Sequence, residues 1–148
     1  GTKYKDRSVI LYGNADTNAA WTKLLASCPI EVHHGWAQAG SKRYTGSDFA
    51  AYFVRPRSGS DVASVGAVAW TGRGGWIAAS PGQYFISGAG FPYLMLFTAE
   101  ELRSGTNGVL AIGWFGNDWS LERGDIVWSD SRPHDTRALE TRPKSDSK

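Results

Sequence analysis

The chain has 148 residues, which on a prior of roughly 100 to 200 residues per domain makes one domain, and it is 41% hydrophobic and 20% charged. Sixteen Lys and Arg against 14 Asp and Glu give a formal net charge of +2, too even for the electrostatic footprint of a nucleic-acid binder. The single cysteine, Cys28, excludes an internal disulfide framework, and no apolar run reaches the roughly 18 residues of a membrane-spanning helix.

Residues 1–6 are polar and expected to be frayed, the leading Gly-Thr being of the kind an expression vector leaves. Val9-Ile10-Leu11-Tyr12 is a continuous apolar run closed by Gly13-Asn14, and it reads as a strand buried on both faces. A helix is expected next, capped by Asp16 or Thr17, because Ala19, Ala20, Trp21, Leu24 and Leu25 gather on one side at helical spacing. Cys28-Pro29 stops it, and another extended segment opens at residues 30–33. Further strands are expected at 50–54, 65–70, 93–97 and 109–115, with a helical turn at 99–103. Residues 72–92 form a long Gly-rich connection, which implies a functional loop or short elements hidden within it. Residues 129–148 alternate in charge, carry two prolines and have almost no apolar residues, so they read as a polar tail or linker behind a single globular body at 7–128.

Unbroken apolar strands with an intervening helix favour an α/β fold with a mainly parallel sheet of about six strands and few helices. A β-sandwich or jelly-roll-like module is the alternative, since one helix alone is well marked.

Asn14 and Asp16 stand where a strand meets a helix start, a place where ligands collect in parallel α/β sheets, although both types also build turns and caps. Gly72-Arg73-Gly74-Gly75 lacks the Lys-Ser or Lys-Thr of a phosphate loop, and no GxGxxG is present. Around Ser87, Phe85-Ile86-Ser87-Gly88-Ala89-Gly90 lacks the first glycine of a nucleophile elbow. The histidines are His33, His34 and His134, the last in the expected tail, so no catalytic residue is assigned. Cys28 reads as a buried structural thiol. Adjacent His33 and His34 on a strand point to opposite faces, which argues against a metal shared with Glu31, and no metal or cofactor is expected. Arg55 and Arg57 could clamp a carboxylate or phosphate, with surface pairing to Asp48 or Asp61 as the plainer reading.

Eighteen Gly and seven Trp are the informative excesses. Indole rings pack against the apolar faces of sugars while Asn and Asp bond their hydroxyls, and Gly116-Asn117-Asp118-Trp119 offers both kinds of group together. Trp114 and Phe115, inside an apolar run, are assigned to the core; Trp70, Trp76 and Trp119 adjoin Gly-rich turns and are expected at the surface. The ligand-binding candidates are Trp70, Trp76, Trp119, Tyr84, Asn117, Asp118, Asn14 and Asp16.

The run from Val9 to Trp21 (VILYGNADTNAAW), Phe53-Val54-Arg55-Pro56-Arg57, and Gly113-Trp114-Phe115-Gly116-Asn117-Asp118-Trp119 resemble a C-terminal region of large bacterial, planctomycete-type α/β-hydrolase proteins of the prolyl-oligopeptidase-like or esterase-like kind. The resemblance covers most of residues 5–128. It implies an accessory domain of an exported hydrolase whose serine nucleophile lies in a separate upstream domain, and no catalytic residue carries over. The string from Val68 to Trp76 departs from that pattern by its extra tryptophans, pointing to a binding surface particular to this chain. The resulting expectation is a noncatalytic module, secreted or periplasmic, with its signal on a longer parent chain. Its expected partners are a plant polysaccharide or oligosaccharide and the parent hydrolase domain, with neither nucleic acid nor membrane. A structural or docking domain on the hydrolase is the alternative, and a stand-alone esterase or peptidase comes third.

Overall fold

The computed structural model describes residues 5–81 and 92–136. Within them the chain runs β1 (Val9–Gly13), α1 (Trp21–Leu24), β2 (Ile30–His33), β3 (Trp36–Ala39), β4 (Lys42–Thr45), β5 (Phe49–Pro56), β6 (Ser64–Trp70) and α2 (Arg73–Ala79). It continues with β7 (Leu94–Thr98), α3 (Glu101–Ser104), a 3₁₀ turn (Gly105–Gly108), β8 (Val109–Trp114), β9 (Asp125–Trp128) and β10 (Asp135–Thr136). Six strands make a larger sheet in the order β1-β6-β5-β7-β8-β9, and four make a smaller one in the order β10-β4-β3-β2. In the larger sheet β1 and β6 are parallel and the remaining pairs antiparallel; the smaller sheet is antiparallel throughout.

The expected α/β fold with a mainly parallel sheet is therefore corrected to a mostly β fold, with two sheets and three short helices among the described residues. The misleading signal has a physical cause. β5 and β6 are apolar along their lengths because both faces of the larger sheet are covered at its centre, and that double burial occurs here in antiparallel pairing. β1 is not buried on both faces: Leu11 is buried, whereas Ile10 and Tyr12 are 44% and 61% exposed on an edge strand. The sandwich alternative comes nearer, since two sheets share one core, but a helix on the outer face of a mixed sheet is foreign to a jelly roll.

The inner face of the larger sheet packs Leu11, Phe53, Val65 and Leu96 against Ile30, Val32 and Tyr44 of the smaller sheet. Trp21 of α1 joins this core with its ring edge-on to Phe53, centroids 5.9 Å apart. On the outer face, Ala50, Tyr52, Val68 and Phe97 pack under Ala78 and Ala79 of α2, and the Tyr52 hydroxyl donates to the Ala79 carbonyl at 2.5 Å. α2 lies inside the connection that the composition marks as a loop. Glycine is a poor helix former, but a Cβ at Gly75 would stand 2.0 Å from the Phe49 carbonyl oxygen, so only glycine lets the helix sit this low. Strands β3, β4 and β9 lie outside the strands that the sequence predicts, being four residues long and mixed in polarity. Gly40, at φ 59°, supplies the conformation that the tight turn between β3 and β4 needs. Within the segment read as a tail, β10 pairs with β4, and Arg132 bonds both oxygens of Asp48 at 2.8 and 3.3 Å.

Tyr44 is fully buried, yet its hydroxyl has no hydrogen-bond partner among the described residues. A buried unpaired hydroxyl costs about 1–3 kcal/mol. Tyr44→Phe should therefore keep or raise stability, by about 1 kcal/mol, while its ring contacts with Phe49 and His134 persist. Urea unfolding checks this, and a lower midpoint for the variant would mean that the hydroxyl is bonded.

Candidate functional site

β5 leaves the larger sheet at Arg55-Pro56-Arg57. Side chains alternate along an extended chain, so Arg55 shares the inner side with Phe53, and the spacing of two keeps Arg57 beside it. Both arginines line a cleft of about 250 Å³ with Leu24, Leu25, Ser27, Cys28, Pro56, Ser58, Asp118 and Trp119. Three parts of the chain thus meet here: the end of α1, the end of β5, and the loop from β8 to β9. Arg55 Nη1 donates to the Trp119 carbonyl at 2.7 Å, and its guanidinium lies 5.2 Å from the Phe115 ring. Arg55 forms no ion pair among the described residues. Arg57 donates to the Arg7 carbonyl. Burial pushes the Cys28 thiol up to about 12, against the opposing charge of Arg55, which leaves it protonated and unreactive at neutral pH.

Trp119 is the one non-glycine described residue with positive φ, at 62°. For a bulky side chain this is an outlier that costs on the order of 1–3 kcal/mol. Its surroundings hold it there. The Trp119 N–H donates to the Gly116 carbonyl at 2.8 Å, Arg55 occupies its carbonyl, and its ring stacks on Tyr93 at 5.6 Å and tilts against Phe115 at 6.0 Å. Beside it, Asp118 Oδ1 accepts from the Ser120 hydroxyl at 2.7 Å and the Ser120 N–H at 3.1 Å, and Oδ2 lies 3.6 Å from Arg123. The Ser120 hydroxyl is the main reason that this carboxyl lies below its ordinary value. Asn117 is exposed next to it.

The other candidates sit elsewhere. Asn14 is buried and spends its amide internally: Nδ2 donates to the Trp70 carbonyl at 2.9 Å, while Oδ1 accepts from Asp16 N–H at 3.0 Å and from the Thr17 hydroxyl at 3.2 Å. Asp16 bonds His33 Nδ1 at 2.8 Å and accepts from His34 N–H at 2.7 Å, so both residues tie the turn after β1 to β2 and β6. α1 begins without a side-chain cap, so neither Asp16 nor Thr17 serves as one. Trp70 is half-buried beside α2 and pairs with Ala50, five residues from Arg55, which puts this group roughly 17 Å along the sheet from the cleft. Trp76, on α2, is 52% exposed and makes no ring contact among the described residues. Tyr84 and Ser87 lie outside the described residues. Phe115 is buried as expected, but Trp114 is 51% exposed, because it stands on the outer face of the sheet beyond the reach of α2.

One further constellation has no mark in the sequence, because β3 and β4, which carry it, show no periodic signal. The Trp36 indole stacks on His33 with centroids 4.2 Å apart, and the Arg43 guanidinium lies 3.8 Å over the same ring. His33 Nε2 is 3.5 Å from Glu31, and Arg43 Nε donates to Gln38 at 2.8 Å. Its polar groups are paired with one another across three strands, which suits the surface of a sheet. No group of three or more His, Cys, Asp or Glu among the described residues is placed to hold a metal ion. Comparison with family models, curated proteins and solved structures finds nothing that matches this chain.

The Asp16 carboxyl is held below the ordinary carboxylate value, first by the His34 N–H and then by His33. A carboxyl lowered by folding adds stability above its unfolded value, and that stability is lost as pH falls through the folded one. Unfolding midpoints of the wild type should thus fall more steeply than those of Asp16→Asn as pH drops below about 5. Parallel slopes would show that these bonds do not hold the carboxylate.

Proposed function

We propose that the chain is a noncatalytic carbohydrate-binding module, the accessory domain of a secreted or periplasmic bacterial hydrolase, and that it binds sugar in the Trp119 cleft. The observation that carries this reading is the meeting of Trp119, Asp118 and Arg55 at one concave site. Recognition pockets combine apolar walls with a few placed polar groups. Leu24, Leu25, Pro56 and the indole of Trp119 supply the walls, and Ser27, Asp118 and Arg55 supply the polar groups. The strained Trp119 backbone supports the same reading, since conformations that cost energy persist where the surroundings hold a side chain in place for use. Trp76, exposed on α2, is a second and separate platform.

A docking role on the parent hydrolase has its own support. On the outer face of the larger sheet, Trp114 and Val127 stand on neighbouring strands and are 51% and 67% exposed, apolar surface that a docked partner would cover.

Isothermal titration and affinity electrophoresis against neutral and acidic oligosaccharides separate the two. Trp119→Ala should weaken binding by about 2 kcal/mol, roughly 30-fold. Trp76→Ala should leave stability within about 0.5 kcal/mol of wild type. A wild-type protein that binds none of the panel overturns the carbohydrate reading and leaves the docking one.

A further inference from the structure

Resting on the reading of this cleft as a sugar site, we propose that its ligand is acidic: a hexuronic acid residue whose carboxylate pairs with Arg55 while its ring lies against Trp119. Arg55 is half-buried and its charge meets no carboxylate among the described residues. One of its five N–H donors is spent on the Trp119 carbonyl. A guanidinium fork fits a carboxylate with two parallel hydrogen bonds, and such charge-assisted pairs are about twice as strong as neutral ones. Asp48, a carboxylate that the sequence offers as partner, is held by Arg132 at the opposite end of β5. Arg57 lines the same cleft. Asp118 opposes an anion there, but its Oδ1 is turned to Ser120 and its Oδ2 faces Arg123 at 3.6 Å.

Size and walls narrow the class further. A cleft of about 250 Å³ falls below the roughly 300–1,000 Å³ of sites for drug-sized ligands and suits a single ring. A bare anion would have no use for Leu24, Leu25, Pro56 and an indole, whereas a pyranose that carries a carboxylate uses walls and cation together.

The test titrates wild-type protein with oligogalacturonate, the same oligomer fully methyl-esterified, a neutral xylo-oligosaccharide and inorganic phosphate. The acid should bind at least about tenfold tighter than its ester, and raising salt from about 0.05 M to about 0.5 M should shrink that gap. Arg55→Gln should abolish the difference between acid and ester, whereas Trp119→Ala should weaken both and keep that difference. Equal binding of acid and ester overturns this inference and leaves the sugar reading standing. Binding of no oligosaccharide overturns both, and displacement of the acid by an equal concentration of phosphate overturns this inference by assigning the cleft to bare anions. The comparison of acid with ester uses wild-type protein, so a variant that fails to fold leaves the test intact.

Discussion

Strands β5 and β6 bury Phe49, Phe53, Val65 and Ala67 on one face of the larger sheet and Ala50, Tyr52 and Val68 on the other, so each face of the pair needs its own cover. Burial of one large apolar side chain contributes about 1.5–3 kcal/mol, and neither face could be left wet without losing several such terms. The smaller sheet and α1 close the inner face; α2 closes the outer one. Small residues set the distances, as where Ala78 and Ala79 of α2 pack on Ala50. α2 has only seven residues, and it contacts β5, β6 and β7. Trp114 and Val127 on β8 and β9, and Ile10 and Tyr12 on β1, lie outside that cover and are exposed for this reason.

The two ends of the larger sheet treat their polar groups differently. At the Trp70 end, Asn14 bonds the Trp70 carbonyl and Thr17, Asp16 bonds His33 and the His34 N–H, and Asp48 nearby is matched by Arg132. Groups so paired hold the turn after β1 and the start of β5, and a ligand would have to displace a bond to use them. At the Arg55 end the guanidinium is met by a backbone carbonyl, which accepts a hydrogen bond but neutralises no charge. This difference, rather than residue type, separates structural polar groups from those with capacity left for a ligand.

Strand positions were legible wherever apolar runs were long: β5, β6, β7 and β8 fall where the sequence predicts them, within a residue or two. Pairing direction was not legible, because burial on both faces leaves the same continuous pattern in parallel and antiparallel strands. The whole smaller sheet beyond β2 was invisible. Trp36-Ala37-Gln38-Ala39 and Lys42-Arg43-Tyr44-Thr45 are too short to show a period, and only the Gly35 and Gly40 turns hint at hairpins. Of the candidate site, Asp118 and Trp119 could be found from composition beside a turn. Arg55 could be found as one of two cations spaced for one side of a strand. That they share a cleft with the end of α1 depends on a contact spanning 64 residues, from Arg55 to Trp119, which no local pattern encodes.

That same contact gives Arg55 two tasks. It donates to the carbonyl of a residue held at φ 62°, so it helps to maintain the backbone on which the indole depends, and it lines the cleft itself. Charge and aromatic wall are thus positioned by one bond, and a change at Arg55 would be felt at Trp119 as well. The walls come from α1, β5 and the loop from β8 to β9, so the cleft exists only when all three are docked on the core. A ligand that fits it binds the folded chain and not the unfolded one, which shifts the folding equilibrium by mass action. Through that linkage, occupancy of the cleft would offset part of the roughly 1–3 kcal/mol stored in the Trp119 backbone.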